Sequence, residues 1–528
     1  MNNMRYKEYL VNLLPCVYYG VICGSLTGAL IFFFKFAAKK AELASHYLYN
    51  IAKTNPFYVG LAFGVLFAFA FLMYFLHKKI PECRGGGIPR AEGVLRGVLS
   101  FRWFLTLVGT FFGSIISFFC GLPVGSEGPA VLMGTSVGCM CGSVSKNKST
   151  WNRYVMTGGA GAGFAVATGA PLAGILFALE EIHKRFTPML VICVSVSVVS
   201  ATYVNHLLCG IFGLNPSLFE IHALPSFEIG HIGYLIVLGV LTALAVGVFD
   251  KSIDLFRKLT KRFSKFLSVP TKLVIIFLVT GILAFVLKDA VYSGHDVIHD
   301  VFEHNKSAVV LLGLFLLRLL LMLFITDSGA TGGIFIPTLA IGALASALSG
   351  KILVLFGLPN ELLGTVVLLG MCAFIGGTLR APLTASVLFL ELTGQFTNLL
   401  FVTVVIFTVN FITEMLNQKP FYDIALENME HIQNEGKHPE IACFEMKVSK
   451  NAFVVGKAVR DIMWPHSSVV VSIKRAEEQK DDMDNDGEKK LFVGDTLVIR
   501  AKFFDENELK GLLSGLVGKE TEIKRTTI

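Results

Sequence analysis

Long apolar runs recur from residue 10 to residue 416, parted by short polar or Gly/Pro-containing breaks. Leu10–Phe34, Phe57–Leu76, Phe104–Phe119, Met189–Phe212, Ile232–Val248, Leu273–Leu287, Val309–Ile325 and Leu399–Ile412 are the clear ones. Each approaches or exceeds the ~20 residues that carry a helix across a bilayer. Shorter runs lie between them at 129–142, 155–168, 170–179, 334–349, 363–376 and 382–392. Many of these are too short to span, and half-length, interrupted segments mark ion and substrate sites in transporters. The pattern predicts an all-α polytopic membrane protein over 1–430. After a linker at 431–440 the period changes. Ala442–Lys447, Val469–Lys474 and Thr496–Lys502 read as short strands, Lys457–Met463 as a short helix and Glu506–Val517 as a polar helix. Residues 441–528 are thus expected to form a small α/β domain.

Composition agrees. Hydrophobic residues make up 53% of the chain and charged ones 16%, with a mean hydropathy of +0.64. Soluble domains run nearer a quarter charged, and low hydrophobicity, the condition for disorder, is missing. The 51 glycines and 45 phenylalanines suit close-packed membrane helices. Charge divides unevenly: 33 of the last 98 residues are charged against 52 of the first 430, with net −1 and +8 respectively. No basic stripe argues for nucleic acid. Nine of the ten cysteines precede residue 430, mostly in apolar runs, and read as buried free thiols. Leu10–Phe34 is too long, and lacks the small-residue cleavage site, for a cleavable signal peptide.

Two pieces of the chain repeat. Gly125–Pro129 followed by Gly134 matches Gly333–Pro337 followed by Gly342, at an offset of 208. Ala170-Pro171-Leu172 leading to Leu179-Glu180 matches Ala381-Pro382-Leu383 leading to Leu390-Glu391, at an offset of 211. The same order at nearly the same offset argues for an internal duplication, which places a transport site at the repeat interface near the midplane.

Three Gly/Pro loops should open helices: Gly85–Pro89, Gly125–Pro129 and Gly333–Pro337. Proline suits a first helical turn, and glycine lets backbone approach a ligand. Converging helix N-termini, each with free N–H groups and about half a positive charge, hold an anion without Lys or Arg. A full cation there would be costly and would bind too tightly for release. Taken singly, each loop is equally readable as a turn in a glycine-rich membrane protein.

These loops, together with Ala170–Glu181, resemble the signature segments of the CLC chloride channel and transporter family, and Lys419–Tyr422 is similar to its later tyrosine segment. The resemblance covers about residues 10–430 in order. It implies a homodimer with one anion pathway and one inverted repeat per subunit, no cofactor, and chloride and protons as the transported species. Glu127 resembles the external gating glutamate, which blocks an anion position when ionised and carries the proton. Glu181 resembles the internal proton-transfer glutamate; its plainer reading is a solvated helix end beside His183, Lys184 and Arg185. Glu180 has a repeat partner in Glu391, which favours a structural task for both. The resemblance assigns anion binding to Gly86, Gly87, Ile88, Gly128, Ile334, Phe335, Ile336 and Tyr422. Tyr422 would offer its hydroxyl and Phe335 only its backbone N–H; the plainer readings are an interfacial aromatic and core packing.

Two positions depart from the family pattern. Gly86 stands where a serine hydroxyl commonly meets the central anion, and Ser126 where a basic residue commonly precedes the gate. The fluoride-exporting branch changes the first loop more drastically, and the Ile88-Pro89 ending argues against it. In the tail, Glu445–Val448, Gly456–Asp461, Val469–Arg475 and Phe492–Leu497 resemble the TrkA-C (RCK-C) regulatory module, some examples of which bind cyclic di-AMP. Asp482–Gly487 copies half an EF-hand loop, but its twelfth position is Val493. A solvated hairpin turn is expected there and no metal. The leading expectation is a chloride/proton exchanger in the cell membrane with its tail in the cytoplasm. The alternative is a passive voltage- or ligand-gated chloride channel on the same fold, whose members usually lack a carboxylate at Glu181. An intramembrane enzyme finds no HExxH, GxSxG or CxxC motif. A potassium transporter is suggested by the tail alone.

Overall fold

The computed structural model describes residues 2–144, 150–216, 224–262, 268–303, 306–417, 419–434, 438–450, 452–465, 467–475, 481–482, 487–518 and 521–526. The first half of the membrane part holds α1 (Asn2–Ala52), α2 (Pro56–Lys79), α3 (Ile88–Arg96), α4 (Trp103–Phe119), α5 (Glu127–Val144), α6 (Thr150–Thr168), α7 (Pro171–Phe177) and α8 (Pro188–Phe212). The second holds α9 (Ile232–Arg262), α10 (Val269–Val286), α11 (His295–Glu303), α12 (Ala308–Ser328), α13 (Phe335–Leu355), α14 (Leu363–Leu379), α15 (Pro382–Thr393), α16 (Leu399–Met415) and α17 (Phe421–Gln433). Among the described residues, nine helices are long and apolar enough to cross a membrane. Two of these correct the sequence reading: the runs at 334–349 and 363–376 belong to the spans Phe335–Leu355 and Asn360–Leu379, buried over 72% and 89% of their apolar windows. The apolar runs stop at Gly350-Lys351 in the first and at Glu361 and Gly377-Thr378 in the second, and the helices carry on through these positions.

Local chemistry sets the helix ends. Asn55 Oδ1 accepts from Phe57 N at 2.9 Å ahead of Pro56, and Ser307 Oγ accepts from Val310 N at 3.4 Å. Gly97, Gly213 and Gly329 close α3, α8 and α12 in the left-handed region, at φ 77°, 63° and 73°. Small residues then let helices meet backbone to backbone. Along the α5–α6 seam, a Cβ at Gly134 would strike the Gly159 carbonyl and one at Gly159 the Gly134 carbonyl. A Cβ at Gly163 would strike the Ala130 carbonyl just as closely, and one at Gly138 would stand 2.5 Å from Met156 Cα.

The duplication is visible as symmetry of contact. The two matching loops pair: Gly125 N donates to Gly333 O at 2.6 Å and Gly333 N to Gly125 O at 2.8 Å. The second motif pair is also reciprocal. Glu180 accepts from Leu383 N at 3.0 Å and Thr384 N at 2.7 Å, while Glu391 accepts from Leu172 N and Ala173 N, both at 2.8 Å. Each carboxylate therefore caps the first turn of the other repeat's helix.

The tail is a five-stranded sheet of order β3-β2-β4-β1-β5, formed by β1 (Glu440–Lys447), β2 (Ser468–Lys474), β3 (Asp481–Asp482), β4 (Thr496–Phe503) and β5 (Lys524–Thr526). Against it packs α18 (Glu506–Val517), capped by Asp505 Oδ1 on Asn507 N at 2.9 Å. The expected helix at Lys457–Met463 is instead one 3-10 turn, Val459–Asp461. Its backbone is drawn outward, with Val459 N to Lys489 O at 3.0 Å and Arg460 N to Gly487 O at 2.9 Å. Residues 483–486 of the acidic turn and 435–437 of the linker lie outside the described residues. All ten cysteines are free, and all but Cys139 are buried.

Candidate anion and proton site

The three loops that open α3, α5 and α13 meet at one place. A Cβ at Gly87 would run into the Gly128 carbonyl, and Gly87 itself has φ 83°, so both the turn and the approach require glycine. A Cβ at Gly128 would strike the Gly86 carbonyl and stand 2.9 Å from Gly333 Cα. Gly86 differs: a Cβ there would find Gly332 O at 3.8 Å and Ile334 Cγ1 at 3.9 Å, ordinary contacts. Ile88, Ile334, Phe335, Ile336 and Tyr422 share one buried cluster. The Phe335 ring stands edge-on to Phe164 at 5.0 Å, and Phe164 stacks on Phe177 at 4.1 Å, so α6 and α7 fix the Gly333–Pro337 loop.

Glu127 opens α5 and is wholly buried. Ser126 Oγ donates to its Oε1 at 3.0 Å. Its Oε2 lies against Gly125, where a Cβ would collide with it, and that same Cβ would stand 3.3 Å from Ile336 Cβ. The carboxylate thus folds back between the two paired loops, where their helix N-termini point.

Glu181 is 1% exposed, which sets aside the solvated helix end. It lies in a π-turn, Ala178–Ile182, that continues α7, an irregularity that recurs at functional sites. Its Oε1 has no hydrogen-bond partner among the described residues. Tyr422, 1% exposed, is buried within electrostatic range of Glu181, Glu127 and Glu92 and is not an interfacial aromatic.

Around Glu181 is a charged cluster that the motifs did not disclose. Glu92 of α3, 0% exposed, pairs with Arg96 at 2.5 Å, and Lys184 Nζ approaches Glu92 at 3.7 Å and Asp423 at 2.7 Å. Lys184 holds a left-handed backbone, φ 53°, strain of the sort found where function constrains a turn. The available signal was the i,i+4 spacing of Glu92 and Arg96 in a helix opened by an anion loop; nothing local pointed to Asp423. Among the described residues, no three His, Cys, Asp or Glu side chains are placed to hold a metal.

Broken helices with paired loop N-termini, and a carboxylate folded between them, define a membrane transport protein. The sequence profile described as "Voltage gated chloride channel" matches residues 67–414, and the chain belongs to that family. Among solved structures, it is similar to a slow cyanobacterial Cl−/H+ antiporter: 28% identity, TM-score 0.72, covering 80% of this chain and 99% of that one. It shares the fold of a eukaryotic CLC transporter (19%, TM-score 0.66, 85% and 78% covered). The same holds for a CLC-type fluoride/proton antiporter (21%, TM-score 0.62, 78% and 97% covered).

Proposed function

We propose that this chain is a secondary active transporter that exchanges chloride for protons. The observation that carries the reading is the Glu127 carboxylate folded between the Gly125 and Gly333 loops. Ionised, it occupies the place an anion would take; protonated, it loses its attraction to the helix N-termini and swings out. Gly86, Gly87, Ile88, Gly128, Ile334, Phe335 and Ile336 would then give the anion backbone N–H groups and their Cα surroundings, and Tyr422 its hydroxyl. Glu181 would pass the proton from the other side. The 28% identical antiporter supports exchange; a passive channel is the competing reading, and the buried Glu181 favours exchange.

The homodimer is carried over from the family. The side on which Arg153 and Arg185 meet the tail, reached also by Lys78, Lys79, Lys184, Lys261 and Arg262, is set against that of Lys39, Lys53, Lys288 and Lys306 and is assigned, with the tail, to the cytoplasm of a multi-pass cell-membrane protein. The tail is proposed as a TrkA-C-like regulatory domain. An open cleft of about 780 Å3, bordered by Lys447, Ser449, Thr496, Thr521 and Lys524, is a place to seek a nucleotide such as cyclic di-AMP. An unchanged melting point at saturating nucleotide removes that ligand.

The test is purified protein in liposomes with anion and proton flux recorded together. A chloride gradient should drive protons uphill in the opposite sense. Chloride flux with no proton movement at any gradient makes the protein a channel.

A further inference from the structure

The loop that carries the gate, Gly125–Pro129, has no cation of its own. The α5–α6 seam shows where one is supplied. Gly138 meets Val155 and Met156, Gly134 meets Gly159, and Ala130 meets Gly163, each step moving one turn along both antiparallel helices. The next turn sets Val166 level with Glu127. Helix α1 runs beside α6, with Cys23 Sγ on Val155 O at 3.6 Å and, three turns on, Lys35 Nζ on Val166 O at 3.0 Å. We propose that Lys35 is the cation that gathers anions at the gate's mouth and sets how tightly they enter, supplied from α1 in place of the charge that Ser126 omits.

Three further facts support this. Lys35 and Glu127 interact electrostatically, as do Lys35 and His295, and His295 is within range of Arg318. Arg318 keeps its charge too, its Nε and Nη2 donating to Asp289 O and Val291 O at 2.9 Å, but the cation that acts on the Glu127 carboxylate is Lys35. Its hydrogen bond to a carbonyl near the end of α6 neutralises none of its charge. The other groups facing it are Cys209 and Lys39. A lysine beside the anion path, and not in it, attracts the ion without the tight binding that would hold it there.

The inference rests on anion passage through the loops, not on proton coupling, and the two fail separately. Half-saturating external chloride is measured for flux in liposomes. Lys35→Gln keeps a donor for Val166 O and loses the charge. It should raise that concentration about three- to tenfold, as expected for one unit charge several ångströms away in partly hydrated protein. Lys35→Arg should stay near wild type, and Ser126→Arg placed in the Lys35→Gln protein should restore most of the loss. A strut would behave otherwise: Lys35→Met impaired with Lys35→Gln normal overturns the proposal, as does failure of Ser126→Arg to rescue. If wild-type protein moves no protons, the exchange reading falls and these chloride measurements still decide the role of Lys35. If Lys35→Gln does not fold, Ser126→Asp must produce the same rise by opposing the charge; an unchanged value there overturns the proposal. If no flux is found at all, isothermal titration of chloride replaces it, with the same outcomes.

Discussion

At the scale of single residues, Glu127 and Gly86 carry opposite lessons about a loop of backbone donors. Glu127→Gln keeps the shape of the side chain and removes both its charge and its proton. Proton movement should fall to background while chloride still passes. Chloride-driven proton uptake that persists in the variant would remove Glu127 as the shared gate. The helix starts beside which both residues lie were legible in the sequence, because Gly and Pro punctuate them. What was not legible is clearance. Gly87 and Gly128 admit no Cβ, whereas Gly86 admits one with contacts of 3.8 and 3.9 Å. Gly86→Ser therefore fits without moving the loops and adds a hydroxyl donor at the proposed anion site. A hydrogen bond contributes about 0.5–1.5 kcal/mol net, somewhat more to a charged partner, so chloride should bind several-fold to roughly tenfold tighter. Water already donating in that space would shrink the gain. Isothermal titration of both proteins decides it, and equal or weaker binding shows that the pore does not lack a hydroxyl.

At the scale of elements, adjacent glutamates on one turn have separate tasks. Glu180 points across the repeat interface to cap α15, while Glu181 is buried in the π-turn. Glu391→Ala should cost about 0.5–2 kcal/mol, read as a lower melting temperature with the proton-to-chloride ratio unchanged. Glu181→Gln should leave melting near wild type, stop proton transport and spare chloride flux. An intact ratio in Glu181→Gln would end its assignment. The structural task of Glu180 was readable from its repeat partner. The reach of α13 and α14 was not, since each helix runs on through positions that end an apolar run, Gly350-Lys351 in α13 and Gly377-Thr378 in α14. The turn at Val459–Asp461 was misread for a related reason. Its helical propensity is local, but its N–H groups are taken by Gly487 and Lys489, some thirty residues away, and tertiary pairing overrides propensity.

At the scale of the whole molecule, the tail is joined to the membrane part by a small mixed interface that no periodicity could have disclosed, because its partners are some three hundred residues apart. The Phe453 ring meets Trp151 at 5.5 Å and Tyr154 at 5.9 Å. Main-chain carbonyls of Ile462 and Met463 accept from Arg185 at 3.2 Å and Arg153 at 3.3 Å. Since the duplication lies wholly before it, trimming after about residue 435 should leave a folded, transporting protein, less stable by the loss of these contacts. A truncated protein that does not fold would make the tail part of the membrane fold. Lys457 lies at the centre of the joint, its Nζ 2.9 Å from the Phe453 ring centroid and without a hydrogen-bond partner among the described residues. Burial pushes its pKa down to about 7, against a weaker upward pull from Asp461 and Cys16. The undocked amine titrates near 10.4. Between those values the undocked state binds the extra proton, so docking should tighten as pH rises from about 7 towards 10, by at most about 1.4 kcal/mol per unit, and be insensitive to this group below 7. Limited proteolysis or hydrogen exchange of the tail at pH 7 and pH 9 reads this directly. Wild type should be better protected at pH 9, and Lys457→Met equally protected at both. A wild-type tail with the same protection at both pH values would mean that the amine stays charged over the Phe453 ring, held there as a cation by the aromatic face instead of shedding its proton.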